Sequence, residues 1–456
     1  MTDTGDLVWS GPSGNVANVR MQTFNDEPVL TYWSGEGTAG ADAIVSHGWG
    51  EVLVYDSSYT LIATVCPQID LLLPPGVTAK CLADIHEAQM TSRNTMLVTA
   101  YNITETDLTS ADGPKDGWVL DCLALEVSLT TGEVLWSWSS LNHVPVQGSQ
   151  QPLSGSGYNT SNPWDYFHIN SIQLVGENYL INSRHFWTTY LVNPAGDILW
   201  RIEGHTGGDF GDMPEGGTFA WQHDTRLEYL NDEQTSARLH MFANNNAVPG
   251  QPNAILTTGL SLDLTLPPNP QTPPTLHTNL TNPLFPVGAW SQGTCSRLSN
   301  GDLFMGYGSD AVMMEYAPIA ESDTTEGEVI WSAAFGNGDL VSSYRAFKQV
   351  WSATPTTDPN LVVLQADATS DALADCAAGS SHRGYVSWNG ATDVTGWAVY
   401  AGQSENKLLE VGVAECLGYE TEYVVPEDAA FVQVGAVKAG DTAVTRRSAV
   451  VAVGKS

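Results

Sequence analysis

A five-residue pattern of glycine, an acidic residue, two aliphatic residues and tryptophan occurs four times in this chain and constrains its fold more than any other feature. The copies are Gly5–Trp9, Gly132–Trp136, Gly196–Trp200 and Gly327–Trp331. Their first residues are 127, 64 and 131 positions apart, close to two, one and two periods of a repeat of about 64 residues. Such a repeat predicts a ring or array of similar units rather than one layered core.

The intervals predict two degenerate copies near residues 69 and 262, where strand-like runs cover residues 59–65 and 260–266. Each copy follows a turn and has the composition of a short strand, and no stretch of 12 residues or more has a helical period. Six units of about four strands each predict an all-β fold with a six-bladed β-propeller. Since the first copy precedes every other strand, we expect Gly5–Trp9 to close the ring as the outer strand of the last blade.

The repeats stop near residue 351, and residues 353–381 are rich in small and polar side chains, as expected at a domain boundary. Alternating strand patterns follow at residues 384–392, 396–400 and 430–437. They predict a small sandwich that resembles a fibronectin type III module. The predicted domains are therefore a propeller over residues 1–360 and a β-sandwich over residues 380–456.

Acidic residues outnumber basic ones 51 to 17, so the formal net charge is −34. A surface of that charge repels nucleic-acid phosphates and anionic lipids, which excludes nucleic-acid binding as a main function. The longest apolar runs are shorter than the roughly 20 residues that a membrane span needs. The expected partner is a small molecule, and the sequence leaves the oligomeric state open.

Sequons and cysteines favour the secretory pathway or the extracellular space, although the first residues contain no signal peptide. The predicted glycosylation sites are Asn102, Asn159 and Asn279. Six cysteines predict disulfides Cys66–Cys81 and Cys376–Cys416 from their loop-like spacing, and Cys122–Cys295 by elimination. The alternative is a cytosolic protein with six reduced thiols.

Histidine carries a second pattern, because His86, His168 and His223 align when the repeats are laid in register. All three fall at the start of the predicted innermost strand, so they should face one another around a central channel. A ring of histidines is suited to proton transfer near neutral pH. A metal needs three or four ligands at about 2 Å, which one histidine per blade rarely provides, so no metal is predicted. Alternatively, the histidines hold the ring closed by hydrogen bonds to neighbouring blades.

Arginine is scarce in this acidic protein, so Arg184 and Arg345 are notable. At a channel mouth, a guanidinium would bind a substrate oxyanion or phenolate. The alternative for Arg345 is a structural ion pair with a carboxylate. The residues predicted to bind substrate are His86, Trp164, Asn170, Trp187, Trp221, Trp290, Gln292, Arg345 and Lys348.

Four separated segments, at residues 165–171, 183–185, 221–224 and 299–302, resemble the fungal branch of the arylsulfotransferase-like propeller family. The resemblance covers nearly the whole sequence. It implies a channel with several histidines and an arginine, to which His168, His223 and Arg184 correspond. In the bacterial sulfotransferases of the family, a histidine in a later blade accepts the sulfuryl group covalently. Here Gln292 aligns with that position, and a carboxamide cannot form the covalent intermediate.

The resemblance also implies a cofactor-free reaction of secondary-metabolite biosynthesis, because fungal relatives dehydrate tropolone alcohols to quinone methides and direct hetero-Diels–Alder coupling. The predicted enzyme binds an aromatic or tropolone alcohol and a terpene or polyene partner. His168 and His223 would transfer protons while Arg184 holds the oxyanion. One alternative is an aryl sulfotransferase acting on phenols. The other is a secreted carbohydrate-binding propeller without chemistry, which would carry shallow tryptophan sites on its rim rather than one deep channel.

Overall fold

A computed structural model describes residues 1–37, 47–247, 255–281, 286–318, 327–336, 341–365, 382–440 and 444–454. It confirms the predicted all-β fold: 28 strands account for nearly all the regular structure of these residues, and the α-helix α1 (Ser140–His143) is a single turn. No helix in this part of the protein has the length and hydrophobicity needed to cross a membrane.

The described residues contain five four-stranded sheets in which strands that follow one another in sequence lie side by side. The first contains β1 (Val16–Phe24), β2 (Glu27–Gly37), β3 (Gly48–Tyr55) and β4 (Leu61–Val65). The second contains β5 (Ala88–Met90), β6 (Thr95–Thr106), β7 (Gly117–Ser128) and β8 (Val134–Ser139). The third contains β9 (Ile169–Val175), β10 (Asn178–Ser183), β11 (Thr188–Val192) and β12 (Ile198–Glu203).

The fourth sheet contains β13 (His223–Tyr229), β14 (Ser236–Ala243), β15 (Thr258–Thr265) and β16 (Thr275–Leu280). The fifth contains β17 (Thr294–Arg297), β18 (Leu303–Gly306), β19 (Val312–Tyr316) and β20 (Val329–Ala334). The first strand of each sheet lies innermost, where β9 contacts β13 and β13 contacts β17. The fold is propeller-like, but the predicted count of six blades is not confirmed, because the described residues form five such sheets.

The repeat pattern marks the outermost strand in three sheets, at β8, β12 and β20, and the degenerate copy at residues 59–65 covers the outermost strand β4. The copy predicted at residues 260–266 is wrong by one strand, because that run covers β15, the third strand of its sheet. Apolar alternation alone does not distinguish a third strand from a fourth, since both have one buried face.

Two tryptophans of the pattern pack against aromatic residues. The Trp136 ring stacks on Tyr179 of the third sheet with centroids 3.6 Å apart, and its indole donates to the Pro194 carbonyl. Trp200 is 4% exposed and meets Phe210 edge-on. The repeat therefore supplies space-filling contacts next to and between sheets, and two of its tryptophans are not the exposed rim sites expected of a carbohydrate-binding propeller.

The predicted closing strand is wrong. Residues 5–9 form no strand, and residues 1–13 belong to a compact unit with residues 55–60 and 350–456, separate from the unit of residues 14–54 and 61–349. An extended segment before residue 350 lies between the fifth and first sheets instead. The Gly293 amide donates to the Tyr344 carbonyl, and the Met21 amide donates to the Gln349 side chain.

The other unit contains two sheets. Its strands are β21 (Asn360–Gln365), β22 (His382–Ser387), β23 (Val394–Ser404), β24 (Lys407–Glu415), β25 (Glu420–Val424), β26 (Phe431–Lys438), β27 (Val444–Arg447) and β28 (Val451–Ala452). One sheet has the order β21-β22-β25, the other β24-β23-β26-β27, with β28 also pairing with β26. Both contribute to one core that contains Val386, Trp397 and Val434, so the unit is a β-sandwich. Because β21 pairs with β22, the sandwich includes residues before 380, the residue at which the sequence predicted it to begin.

The Cys66–Cys81 disulfide is confirmed, with Cα atoms 5.3 Å apart. The Cys122–Cys295 pair is wrong: both are buried free thiols, in the core clusters of different sheets, so elimination was a poor guide to pairing. Cys376 lies outside the described residues. Of the predicted glycosylation sites, Asn159 is exposed in a turn, whereas the amides of Asn102 and Asn279 are half-buried and hydrogen-bonded within strands. Glycosylation and a secretory location stay predictions.

Candidate active site

The histidines aligned by the repeat do lie at the starts of innermost strands, as predicted. His86 lies two residues before β5, His168 one residue before β9, and His223 is the first residue of β13. His168 and Gln292 share left-handed backbone conformations, with φ of +58° and +64°. Non-glycine residues adopt this region infrequently and often do so at functional sites. Twelve other described non-glycine residues also have a positive φ, so the shared conformation does not test the alignment of Gln292 with His168.

His168 forms a dyad with Asp165 in the turn before β9. Its Nδ1 lies 2.5 Å from Asp165 Oδ2, and the imidazole is almost completely buried. A carboxylate on Nδ1 orients the ring and favours the tautomer whose Nε2 can accept a proton. Burial is the largest influence on the pKa of His168 and holds it well below the ordinary value, although Asp165 opposes this effect.

A second dyad of the same construction precedes β5. His86 Nδ1 lies 2.5 Å from Asp84 Oδ1, which also accepts hydrogen bonds from the His86 amide and the Thr99 hydroxyl. His86 Nε2 is buried without a hydrogen-bond partner. The ring centroids of His86 and His168 are 4.7 Å apart, so these two histidines lie close together, as the repeat register predicted.

His47 joins the two dyads, and sequence reasoning missed it. Its Nε2 lies 3.0 Å from Asp165 Oδ2 and its Nδ1 lies 3.7 Å from Asp84 Oδ2. It precedes β3, the third strand of its sheet, so it is outside the repeat register of the other histidines. Asp84 and Asp165 left a signal in sequence, since each lies two or three residues before a repeat-aligned histidine. We call His47, Asp84, His86, Asp165 and His168 the histidine cluster.

The carboxylates control the charge of this cluster. Burial acts to lower the pKa of His47, but Asp165 and Asp84 outweigh it and raise the pKa to about 9. Burial acts to raise the pKa of Asp165, but His168, His185 and His47 together hold it well below its usual range. At neutral pH the cluster therefore contains an imidazolium at His47, ionised carboxylates, and neutral imidazoles at His86 and His168, whose pKa values are lowered by burial.

Arg184 follows β10 and lies beside the histidine cluster, within an aromatic patch. Its guanidinium lies 5.0 Å from the Trp221 ring, donates to the Trp290 carbonyl, and keeps a buried Nε without a partner. The Trp187 ring meets Trp221 edge-on, and these three tryptophans are only half-buried. His185 connects this patch to the cluster, since its Nε2 lies 2.8 Å from Arg184 and its ring 4.6 Å from His168.

His223 differs from the other two aligned histidines. Its Nδ1 lies 2.7 Å from the Asn244 side-chain oxygen, and its Nε2 accepts the backbone N–H of Gln292 at 3.2 Å. Burial holds the pKa of His223 well below its ordinary value. Both nitrogens are thus engaged inside the protein, an arrangement that matches the hydrogen-bonding alternative considered for the aligned histidines.

Arg345 is completely buried in a group of ion pairs. Its guanidinium bonds Glu87 Oε1 at 3.0 Å and the Asn170 carbonyl at 2.6 Å, and its Nε lies 3.5 Å from Asp224. These contacts favour the structural alternative over substrate binding. Glu87 also pairs with Arg20 and Arg226 from the first and fourth sheets. We call Glu87, Asp224, Arg20, Arg226 and Arg345 the arginine cluster.

Three further predicted residues, Trp164, Asn170 and Lys348, are not members of the histidine cluster, although Trp164 precedes Asp165 directly. Trp164 is buried in the hydrophobic core of the second and third sheets. The Asn170 amide donates to the Gln222 carbonyl and its side-chain oxygen accepts from Asn182. Lys348 pairs with Glu315 in the fifth sheet. The contacts of Asn170 and Lys348 are structural, whereas the indole Nε1 of Trp164 is buried without a hydrogen-bond partner.

Two groups in the cluster have the composition of metal ligands: His47 with Asp84 and His86, and His47 with Asp165 and His168. Within each group the shortest nitrogen–oxygen distance is 2.5 Å. A tetrahedral zinc ion would hold its ligand atoms about 3.3 Å apart. The distances are those of hydrogen bonds, so we derive no step through a metal.

A cleft of about 340 Å³ lies beside the third sheet, and its lining includes Pro145, Phe186, Tyr190 and Arg201. Phe186 follows His185, but no member of the histidine cluster lines the cleft. We place the candidate active site at the cluster and the aromatic patch, because the oriented imidazoles and the free guanidinium nitrogen lie there.

The sequence model of the family described as Arylsulfotransferase (ASST) matches residues 20–336. The chain belongs to this arylsulfotransferase family, as the sequence resemblance predicted, and the match spans all five propeller-like sheets. No curated protein matches it.

Similar solved structures include a Bacteroides caccae protein of unknown function, at 11% identity and a TM-score of 0.32 over 70% of this chain and 93% of that one. Another is the Bacteroides ovatus xyloglucan PUL GH43B, at 10% identity and a TM-score of 0.29 over 98% and 90%. A third is the Bombyx mori GH32 β-fructofuranosidase BmSUC1, at 7% identity and a TM-score of 0.27 over 97% and 80%.

Proposed function

We propose that this protein is an enzyme that performs acid–base chemistry on a hydroxylated aromatic or tropolone alcohol, at the histidine cluster. The observation that carries the proposal is the Asp165–His168 dyad next to the aromatic patch, with its imidazole 4.7 Å from the imidazole of the similarly built Asp84–His86 dyad and nearly perpendicular to it. Two oriented imidazoles suit this chemistry, because a neutral one can accept a proton from a bound hydroxyl and a protonated one can deliver a proton to it.

The aromatic patch supports an aromatic substrate. Trp187, Trp221 and Trp290 would hold the ring, and the unpaired Nε of Arg184 would bond its developing oxyanion. In the dehydration, the ring O–H bond and the C–O bond of the substrate's hydroxymethyl group break, a C=C bond forms, and water leaves with a delivered proton. The product is a quinone methide, which the tryptophans would shield from water and present to a polyene for hetero-Diels–Alder coupling.

The contacts of His223 and Arg345 assign both residues structural roles rather than roles in this reaction. Because both nitrogens of His223 are engaged, we assign proton transfer to His168 and His86 and give His223 a structural role. Arg345 is likewise assigned to the arginine cluster rather than to substrate.

Sulfuryl transfer between phenols is the second candidate, and family membership favours it. Arg184 and the His47 imidazolium would stabilise a sulfate oxyanion, and an imidazole Nε2 at His168 would be the available nucleophile. Gln292 offers none.

A product assay separates these candidates. The purified protein is incubated with an aryl sulfate and a phenol, and separately with an ortho-hydroxymethyl phenol or tropolone and an electron-rich polyene, with products followed by mass spectrometry. We expect the cycloadduct, its loss in His168→Gln, and its retention in His143→Gln, an exposed histidine on α1. Sulfated phenol as the only product would establish the second candidate, and neither product with any substrate would overturn both.

A further inference from the structure

His47 occupies a position that the proposed reaction does not by itself require. It is 3% exposed, and its two ring nitrogens face two different carboxylates, Asp165 and Asp84. Each of those carboxylates already orients another imidazole through Nδ1. His47 is therefore the shared member of two otherwise separate dyads.

The three rings are close enough for their charges to interact strongly. The His47 ring lies 5.3 Å from His86 and 5.0 Å from His168, which are 4.7 Å from each other. A proton gained by one buried imidazole at such distances disfavours a second positive charge nearby. Sites that interact by more than about one pK unit titrate as a unit rather than individually.

Both candidate reactions take one proton from a hydroxyl and deliver one to a departing oxygen. In the dehydration, a neutral imidazole takes the proton of the ring hydroxyl, while the other imidazole, which must first carry a proton on Nε2, delivers that proton to the leaving hydroxyl, so the net proton count is unchanged. Because the cluster is almost completely buried, uptake and delivery are best balanced within the protein rather than by bulk water.

We propose that His47 is a positioning residue that couples the Asp84–His86 and Asp165–His168 dyads into one acid–base unit, in which proton uptake at one dyad promotes proton release at the other. The use of this coupling in catalysis rests on the proposed function. The coupling itself is a property of the free protein.

Several other groups face these residues and set the background for a titration. The Tyr101 ring lies 4.0 Å from His47, and its hydroxyl donates to the Ile169 carbonyl. Burial raises the pKa of Tyr101 well above its ordinary value, so this phenol stays neutral. Among the described residues, other titratable or charged neighbours of the dyads include Glu87, Cys122, Arg184, His185, His223 and Tyr344.

A double-mutant cycle on the free protein tests the coupling. The carboxylate-bonded Nδ1–H protons of His86 and His168 should give far-downfield proton resonances, each assigned by its loss in the corresponding His→Gln variant. The midpoint of the His168 titration is then measured in the wild type, Asp84→Asn, His47→Gln and the double variant. We expect Asp84→Asn to shift the His168 midpoint by about one pH unit when His47 is present, and by clearly less in the His47→Gln background.

Equal shifts in both backgrounds, or no shift in either, would overturn the proposal. His143→Gln should leave the midpoint unchanged, and near-UV circular dichroism checks that each variant is folded. If His47→Gln does not fold, the wild type and Asp84→Asn can still overturn the proposal, because an unmoved His168 midpoint rules out coupling. The cycle uses no substrate, so a failure of the proposed function would not affect its result.

Discussion

The histidine cluster and the arginine cluster both bury charge near the innermost strands, but they differ in how completely their hydrogen-bond acceptors are paired. Both oxygens of Glu87 are bonded to guanidinium groups from three arginines. In the histidine cluster, by contrast, His86 Nε2 and Asp165 Oδ1 have no partner. Arg20 Nε and Arg345 Nε in the arginine cluster also lack a hydrogen-bond partner, so the difference between the clusters lies in their acceptor atoms. A carboxylate with both oxygens bonded to guanidinium groups is suited to holding sheets together, whereas unpaired buried acceptor atoms mark where a ligand or water completes the site.

Substitution in the histidine cluster should give the largest effect, and it should appear in activity. His168→Gln removes an oriented imidazole, so we expect turnover of the true substrate to fall by about 100-fold or more. The thermal unfolding midpoint should move much less than it does for substitution in the arginine cluster. Steady-state kinetics with His143→Gln as control measures this, and full activity in His168→Gln would contradict it.

Substitution in the arginine cluster should act on stability. Glu87→Gln leaves Arg20, Arg226 and Arg345 without their shared carboxylate, and breaking a buried ion pair costs about 3–5 kcal/mol. Urea unfolding followed by tryptophan fluorescence measures the change. The matched control is Glu177→Gln, whose carboxylate is exposed and pairs with Arg93, for which we expect a change of about 0–1 kcal/mol. Similar losses in both variants would remove the distinction between the clusters.

The pH dependence of stability should come from the histidine cluster and its neighbour His185. The pKa of His47 is raised from 6.5 to about 9, so its contribution is complete below 6.5 and is lost as the pH rises through 9. Burial lowers the pKa of His185 to about 4, so acidification from pH 6.5 to 4 destabilises the fold. We expect the unfolding midpoint to be highest near pH 6.5. His47→Gln should abolish the alkaline decline; its persistence would assign the decline to another group.

The smallest effect is expected at Gln292, which belongs to neither cluster. Its backbone N–H donates to His223 and its carbonyl accepts from Asn244, so its side chain is dispensable for these contacts. Gln292→Ala should change turnover by less than about threefold, under ~0.7 kcal/mol. A loss comparable to that of His168→Gln would show that the carboxamide itself takes part in the reaction.

The local periodicity of the sequence was enough to predict several outer strands and the positions of two histidines of the site. The repeat of glycine, acid, aliphatic pair and tryptophan predicted outer strands β4, β8, β12 and β20, because a turn followed by a half-buried strand has a recognisable pattern. The same register placed His86 and His168 at equivalent strand starts, and tertiary structure then brought their rings together. The Cys66–Cys81 bond followed from close spacing, since a short loop keeps its ends near each other.

Tertiary structure alone decided the contacts between residues distant in sequence. The contacts of the segment before residue 350 with Met21 and Gly293 depend on which extended segment fits beside the first and fifth sheets, and any apolar strand pattern is compatible with them. His47 reached Asp84 and Asp165 from a third strand outside the repeat register. Whether Arg184 or Arg345 stayed available to a ligand depended on which carboxylates surrounded it. Side-chain type does not encode these pairings, because burial and partner geometry set the charge and the hydrogen bonds of each group.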